Sequence, residues 1–180
     1  MATDSPPLAV LFVCLGNHCR SPSAHAVVEH HLAIGMAASA GSFVQIDSAG
    51  TSRHHVGDLP HPLATAEGGR RGYRLTHIGR QIHPDDFERF DLIVAMDTAN
   101  VDDLMRMRGH HDLRHSWYRT VEPEQVQLLR RWDPYAMPGD EDLADPWGEG
   151  PDAYRTMFDT IERCIPPLLE HARRLHAEHP

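Results

Sequence analysis

The junction at Cys14-Leu15-Gly16-Asn17-His18-Cys19-Arg20-Ser21-Pro22 restricts the fold more than any other part of this chain. Before it stands an apolar run, Leu8-Ala9-Val10-Leu11-Phe12-Val13, whose length and β-branched content predict a buried strand. After it, Ser21-Pro22 opens a helix-forming stretch, Ala24-His25-Ala26-Val27-Val28-Glu29, with proline expected at the first helical position. The junction is therefore a strand-to-helix loop. Such a loop turns successive backbone N–H groups toward one point and places the positive end of a helix beside them. Arg20 adds a planar, two-pronged donor matched to two oxygens of an oxyanion. A thiol at Cys14 in that field is expected to ionise and to attack phosphorus, with the Ser21 hydroxyl as a donor to the thiolate. The Cys-x5-Arg spacing alone is a weak signal, and its position between strand and helix is what gives it meaning.

The rest of the chain continues the alternation of apolar strands and helical stretches, the pattern of a mostly parallel α/β sheet. Strands are predicted at 8–13, 43–48, 91–96 and 125–129. Helices are predicted at about 22–34, at 63–71 with Gly72 as C-cap, as a short acidic turn at 85–90, at 98–107 with Thr98 as N-cap, and from about 152 onward. Tyr154, Phe158, Ile161 and Ile165 form the apolar stripe of that last helix, Cys164 belongs with its core side, and Pro166-Pro167 is expected to kink or restart it. Residues 1–7 read as a disordered arm and 8–175 as one domain, with no internal repeat.

The chain has 180 residues and 41% hydrophobic content, enough for one domain with a core of its own. No apolar run reaches membrane-spanning length, and the first residues lack the basic flank and apolar core of a signal peptide. Three cysteines are too few for a disulfide framework, so a cytoplasmic protein is expected. A net charge of −9 argues against a nucleic-acid partner. Fifteen histidines form a reservoir that charges below neutral pH.

Expelling an alkoxide or phenoxide also needs a proton donor. Asp145-Pro146-Trp147 lies in the long polar loop before the last helix, where its carboxyl would serve and Trp147 would wall the pocket. Asp133-Pro134-Tyr135 is a near-duplicate, and spacing alone does not separate the two. The loop at 14–22 resembles the phosphate loop of the low-molecular-weight protein tyrosine phosphatases. The resemblance continues through Asp47-Ser48-Ala49-Gly50-Thr51-Ser52, Gly72-Tyr73, His77, Arg80-Gln81-Ile82, Asp86-Phe87 and Ala95-Met96-Asp97 to Asp145-Pro146-Trp147 and the final helix. It implies a single-domain fold with a four-stranded parallel sheet, helices on both faces and the phosphate-binding loop after the first strand. It also implies hydrolysis of phosphotyrosine in proteins through a phosphocysteine, without metal or cofactor. By that resemblance Cys14 is the nucleophile, Arg20 the phosphate binder and Asp145 the general acid, while Asp133 belongs to a structural turn. Leu15, Gly16, Asn17, His18, Cys19 and Ser21 then belong to the phosphate cradle, and His77 supports it through a hydrogen bond to Asn17.

Several positions depart from that family pattern. His18 stands where tyrosine-directed members carry an aliphatic residue and the related protein-arginine phosphatases carry threonine. The acid loop reads Asp-Pro-Trp-Gly, without the two successive tyrosines that are phosphorylated in many members, and its single aromatic followed by glycine resembles the arginine phosphatases. His54 aligns with an aromatic wall of the pocket, where its smaller, wetter ring either weakens stacking on a phenyl ring or makes binding depend on pH, unless it is simply an exposed loop histidine. Cys19 reads either as a thiol that traps oxidised Cys14 in a disulfide, as the family implies, or as a small buried hydrophobe. Residues 109–119 look like an insertion; its His110, His111 and His115 match no strong zinc pattern, while Trp117 and Tyr118 could dock a partner.

The sequence thus points to a monomeric phosphatase acting on phosphotyrosyl proteins. A protein-arginine phosphatase of the same fold is the alternative, and an arsenate reductase is disfavoured because Cys164 is the only thiol outside the loop. A non-hydrolytic phosphocarrier needs no Arg20–Asp145 pair, and an inactive binding module would lack one of Cys14, Arg20 and Asp145.

Overall fold

The computed structural model describes residues 6–34, 44–112 and 124–178. In chain order the elements are β1 (Leu8–Cys14), α1 (Arg20–Ala33), β2 (Val44–Gly50), α2 (Pro62–Arg70), α3 (Asp86–Arg89), β3 (Leu92–Ala95), α4 (Thr98–Asp112), β4 (Val126–Leu128), a 3₁₀ turn Leu129–Trp132 and α5 (Pro151–Glu178). The strands form one parallel sheet in the order β2-β1-β3-β4, with Cys14 opposite Gly50 at the carboxyl end of the register.

Because successive strand residues point to opposite faces, β1 feeds two cores. Val10 and Phe12 pack with Ala24, Val27 and Val28 of α1, Ala64 of α2 and Tyr154, Phe158 and Ile161 of α5. Leu11 and Val13 pack on the other face with Phe87 of α3, Ile93 and Ala95 of β3 and Leu104 of α4. This two-sided burial is why β1 is a continuous apolar run and not an alternating one. The expected architecture of a parallel sheet between helical layers is what the chain forms.

Element ends differ from the sequence reading in instructive ways. The first helix begins at Arg20, so Pro22 sits inside the first turn, where its missing N–H would find no intrahelical partner anyway. At the start of α4 the cap is Asp97 and not Thr98: Asp97 Oδ1 accepts from the Asn100 N–H at 2.7 Å. Gly72 does close α2, with φ of 89° and the neighbouring Tyr73 N–H on the Gly68 carbonyl at 2.8 Å. The last helix runs unbroken through Pro166 and Pro167. An interior proline costs about 3 kcal/mol. Ile161, Cys164, Ile165 and Leu168 are all fully buried on the same helix. At about 1.5–3 kcal/mol for each large apolar side chain, that burial together with that of Tyr154, Met157 and Phe158 outweighs the roughly 6 kcal/mol of two prolines. Residues 113–123, and with them His115, Trp117, Tyr118 and the docking reading, lie outside the described residues, as do the side chains of His110 and His111.

Candidate active site

The carboxyl end of β1 delivers Cys14 to the base of a cavity of about 460 Å³, lined by Cys14, Leu15, Gly16, His18, Cys19, Arg20, His54, His55, Asp145 and Trp147. Nearly every cradle and wall residue named from sequence therefore meets at one place. Asn17 and Ser21, buried at 2% and 0% exposure, stand behind the loop and hold it.

The loop is shaped by Asn17, which adopts the left-handed conformation at φ 51°. Its Oδ1 accepts from the Arg80 N–H at 2.9 Å, which fixes the orientation of the amide. Its Nδ2 must then donate, and it reaches Ser21 Oγ at 2.9 Å and Ser48 Oγ at 3.0 Å. With a lone pair of Ser21 occupied in this way, the Ser21 proton is left for Cys14 Sγ at 3.1 Å or the Ala49 carbonyl at 3.3 Å. A chain of donors from Arg80 through Asn17 and Ser21 thus ends at the thiol.

The Arg20 guanidinium is buried in the helix start and bridges two carboxylates. Its Nη1 donates to Asp97 Oδ2 at 2.6 Å and to the Leu143 carbonyl at 3.0 Å, and its Nη2 donates to Asp145 Oδ2 at 2.8 Å. Burial alone would lower its pKa, but Cys14, Asp145 and Asp97 around it raise it on balance, so the cation persists. Asp97 therefore serves two elements, capping α4 with one oxygen and holding Arg20 with the other. Asp145 accepts the Trp147 N–H at 3.1 Å on Oδ1 and keeps a half-exposed carboxyl facing the cavity. Asp133 lies elsewhere. It is buried against Arg163 at 3.0 Å and Arg130 at 3.3 Å, which fits the structural turn expected of it.

Histidines build one wall. His18 stacks face to face on His55, with ring centroids 3.8 Å apart and planes within 4°, and His61 packs edge-on against His18 at 5.3 Å. Burial, reinforced by His55 and His61, pulls the pKa of His18 below the usual imidazole value. Cys19 is held apart from this wall, its Sγ 3.6 Å from the Tyr154 hydroxyl, and burial pushes its thiol up to about 12.

One expectation needs correction. Asn17 is held by Ser21, Ser48 and the Arg80 backbone, whereas His77 sits beside Asp47, its Nδ1 3.7 Å from Oδ1, with its ring 5.1 Å from that of His25. Sequence reasoning also gave no role to Ser48, Arg80, Asp97 or His55. The adjacent histidines at 54 and 55 offered no signal to tell which one would stack.

A family model described as low molecular weight phosphotyrosine protein phosphatase matches residues 9–179. The chain belongs to this family. It is 35% identical to the low molecular weight protein-tyrosine-phosphatase of Streptomyces coelicolor over 91% of this chain and 93% of that protein. Among solved structures, a protein tyrosine phosphatase from Entamoeba histolytica superposes with a TM-score of 0.77 at 26% identity, covering 93% of this chain and 97% of the other. The Drosophila arginine phosphatase superposes with a TM-score of 0.76 at 29% identity, covering 90% and 96%. Among the described residues, no helix is long and apolar enough to cross a membrane.

Proposed function

We propose that the chain is a cytoplasmic, metal-independent phosphatase that hydrolyses phosphotyrosine in proteins through a phosphocysteine. The observation that carries this reading is the convergence of Cys14, Arg20 and Asp145 on one cavity, with Ser21 in hydrogen-bonding reach of the sulfur. Backbone N–H groups of the loop and the Arg20 guanidinium take the phosphoryl oxygens. Oxygens that replace Asp145 on Arg20 Nη2 release that carboxyl to carry a proton. The Cys14 thiolate then attacks phosphorus while the ester P–O bond breaks, and Asp145 protonates the departing oxygen. Asp145, now a carboxylate, takes a proton from the water that attacks the phosphocysteine. The S–P bond breaks, inorganic phosphate forms, and Cys14 returns as the thiolate with a Ser21 hydroxyl bond to support it.

Replacement Cys14→Ser is expected to abolish turnover of an aryl phosphate, and Asp145→Ala to lower kcat by roughly 10²–10⁴, the range of general acid catalysis. EDTA is expected not to lower either rate. Undiminished hydrolysis by the serine variant would refute the mechanism.

A second reading, hydrolysis of phosphoarginine, is favoured by the likeness to the Drosophila arginine phosphatase and by the acid loop, where Trp147 is a single aromatic followed by Gly148. Initial rates on a phosphotyrosine and a phosphoarginine peptide at equal concentration separate the two. We expect phosphotyrosine to be preferred by the wild type and by His18→Ile, and the preference to narrow in His18→Thr. A wild-type preference for phosphoarginine reverses the assignment.

A further inference from the structure

Behind the phosphate loop, on the side away from the cavity, His25 of α1, Asp47 of β2 and His77 bring one donor atom each to within 4.8 Å of one another. From this geometry we propose that the three side chains form a site for a divalent transition ion of the zinc class, separate from the catalytic cysteine. Two imidazoles and one carboxylate make a donor set suited to such an ion, and water would complete a tetrahedron.

The hydrogen bonds around His25 leave it in the form a metal needs. Its Nε2 faces a carboxylate that can only accept, so the lone pair is on Nδ1, which faces Ser48 Oγ at 3.4 Å and takes either the Ser48 proton or, in its place, an ion. The proton of His25 is then on Nε2, 3.4 Å from Glu29 Oε1. A ligating histidine commonly donates its second nitrogen to a carboxylate in this way. His77 carries a buried Nε2 with no hydrogen-bond partner, a deficit that an ion or a rotated ring would relieve.

The surrounding charge also favours a cation. Asp47 and Asp86 share Arg80, Asp86 also meets Arg89, and Glu29 beside His25 adds a third carboxylate, so three negative groups face two guanidiniums. Bonds of about 2.0–2.2 Å draw ligand atoms to about 3.4 Å from one another, a closure within reach of side-chain rotation. Asp47 would keep its bond to Arg80 through Oδ2, while Oδ1, which accepts the Ser48 N–H at 2.7 Å, offers the ion its second lone pair. The ion takes no part in the hydrolysis proposed above. It would lie against Ser48, whose hydroxyl holds Asn17, and so stiffen the loop from behind.

Calorimetric titration of zinc into the wild-type chain tests the site, with cobalt absorption as a second readout. The site predicts one ion per chain and a cobalt spectrum without thiolate-to-metal charge transfer, both retained in Cys14→Ser. His25→Ala and His77→Ala are expected to weaken binding at least about tenfold, and Glu29→Gln, on an exposed carboxylate, by about tenfold, the lower end of what outer partners contribute. The Glu29→Gln result keeps the test decisive if a buried histidine variant fails to fold. Binding that vanishes in Cys14→Ser, that is unchanged in a folded His25→Ala or His77→Ala, or that reaches only the millimolar range in the wild type, overturns the proposal.

Discussion

At Gly50 the end of β2 runs so close beneath the phosphate loop that an added β-carbon would stand 2.8 Å from the Leu15 carbonyl oxygen and 2.9 Å from the Asn17 nitrogen. Both atoms are backbone, so neither can rotate away, and the loop itself must shift. Replacement Gly50→Ala is therefore expected to cost about 1–3 kcal/mol in urea melts, as overpacking does. It is also expected to lower kcat about tenfold or more, because small misplacements of reacting groups are costly. A wild-type kcat in a folded variant would show that the contact does not position the loop. The sequence made Cys14 and Arg20 legible because strand, loop and helix are contiguous. It left Asp97 and Arg80 mute because their partners are far along the chain: Arg20 meets Asp97 across 77 residues, and Arg80 meets Asn17 across 63. A local pattern cannot announce a contact that exists only after the sheet has formed. His77 was misassigned for the same reason, since its neighbour His25 reaches it from another element.

Among the elements, the turn after β4 separates structural from chemical carboxylates. Asp133 has a fully buried side chain that ties Arg130 of the 3₁₀ turn to Arg163 of α5. Losing this carboxylate leaves Arg130 with Asp140 and Arg163 partly in solvent, so the cost is about 1–3 kcal/mol, that of charge-assisted hydrogen bonds left unmade. Replacement Asp133→Ala is thus expected to lower the urea midpoint strongly while the folded fraction keeps its kcat. Asp145→Ala should do the reverse. Equal effects of both on kcat would contradict this division. The two Asp-Pro pairs look alike in sequence because proline sets the same local turn in each; only burial and the two arginines distinguish them. The continuous α5 carries a similar lesson, since propensity argued for a kink or restart at Pro166-Pro167 and the packed stripe carries one helix through both.

For the whole molecule, histidine burial sets the response to acid. His18, His25, His31, His61 and His171 all have pKa values lowered from 6.5, chiefly by burial. Unfolded, these rings take up protons near pH 6.5; folded, they do so only at lower pH. Over that window the unfolded chain binds more protons, so stability falls as pH drops below about 6.5. The melting temperature is expected to be lower at about pH 5.5 than at about pH 7.5, with a shallower decline in His18→Thr. A flat profile would show that the rings are not buried as described. The architecture itself was legible from the alternation of strands and helices, because a parallel sheet covered on both faces needs continuous apolar strands and β1 supplies one. Strand order was not legible, since nothing local records that β1 lies between β2 and β3.

That strand order carries one more consequence. The nucleophile hangs from an inner strand, whereas the His54–His55 wall follows the strand on one side of it and Asp145 follows the strand beyond its other neighbour. One wall of the pocket is thereby encoded apart from the nucleophile, although its stacking partner His18 stays in the phosphate loop. A graft of residues 53–58 from a relative could retune which phosphoester is admitted while the bond-breaking apparatus is inherited intact.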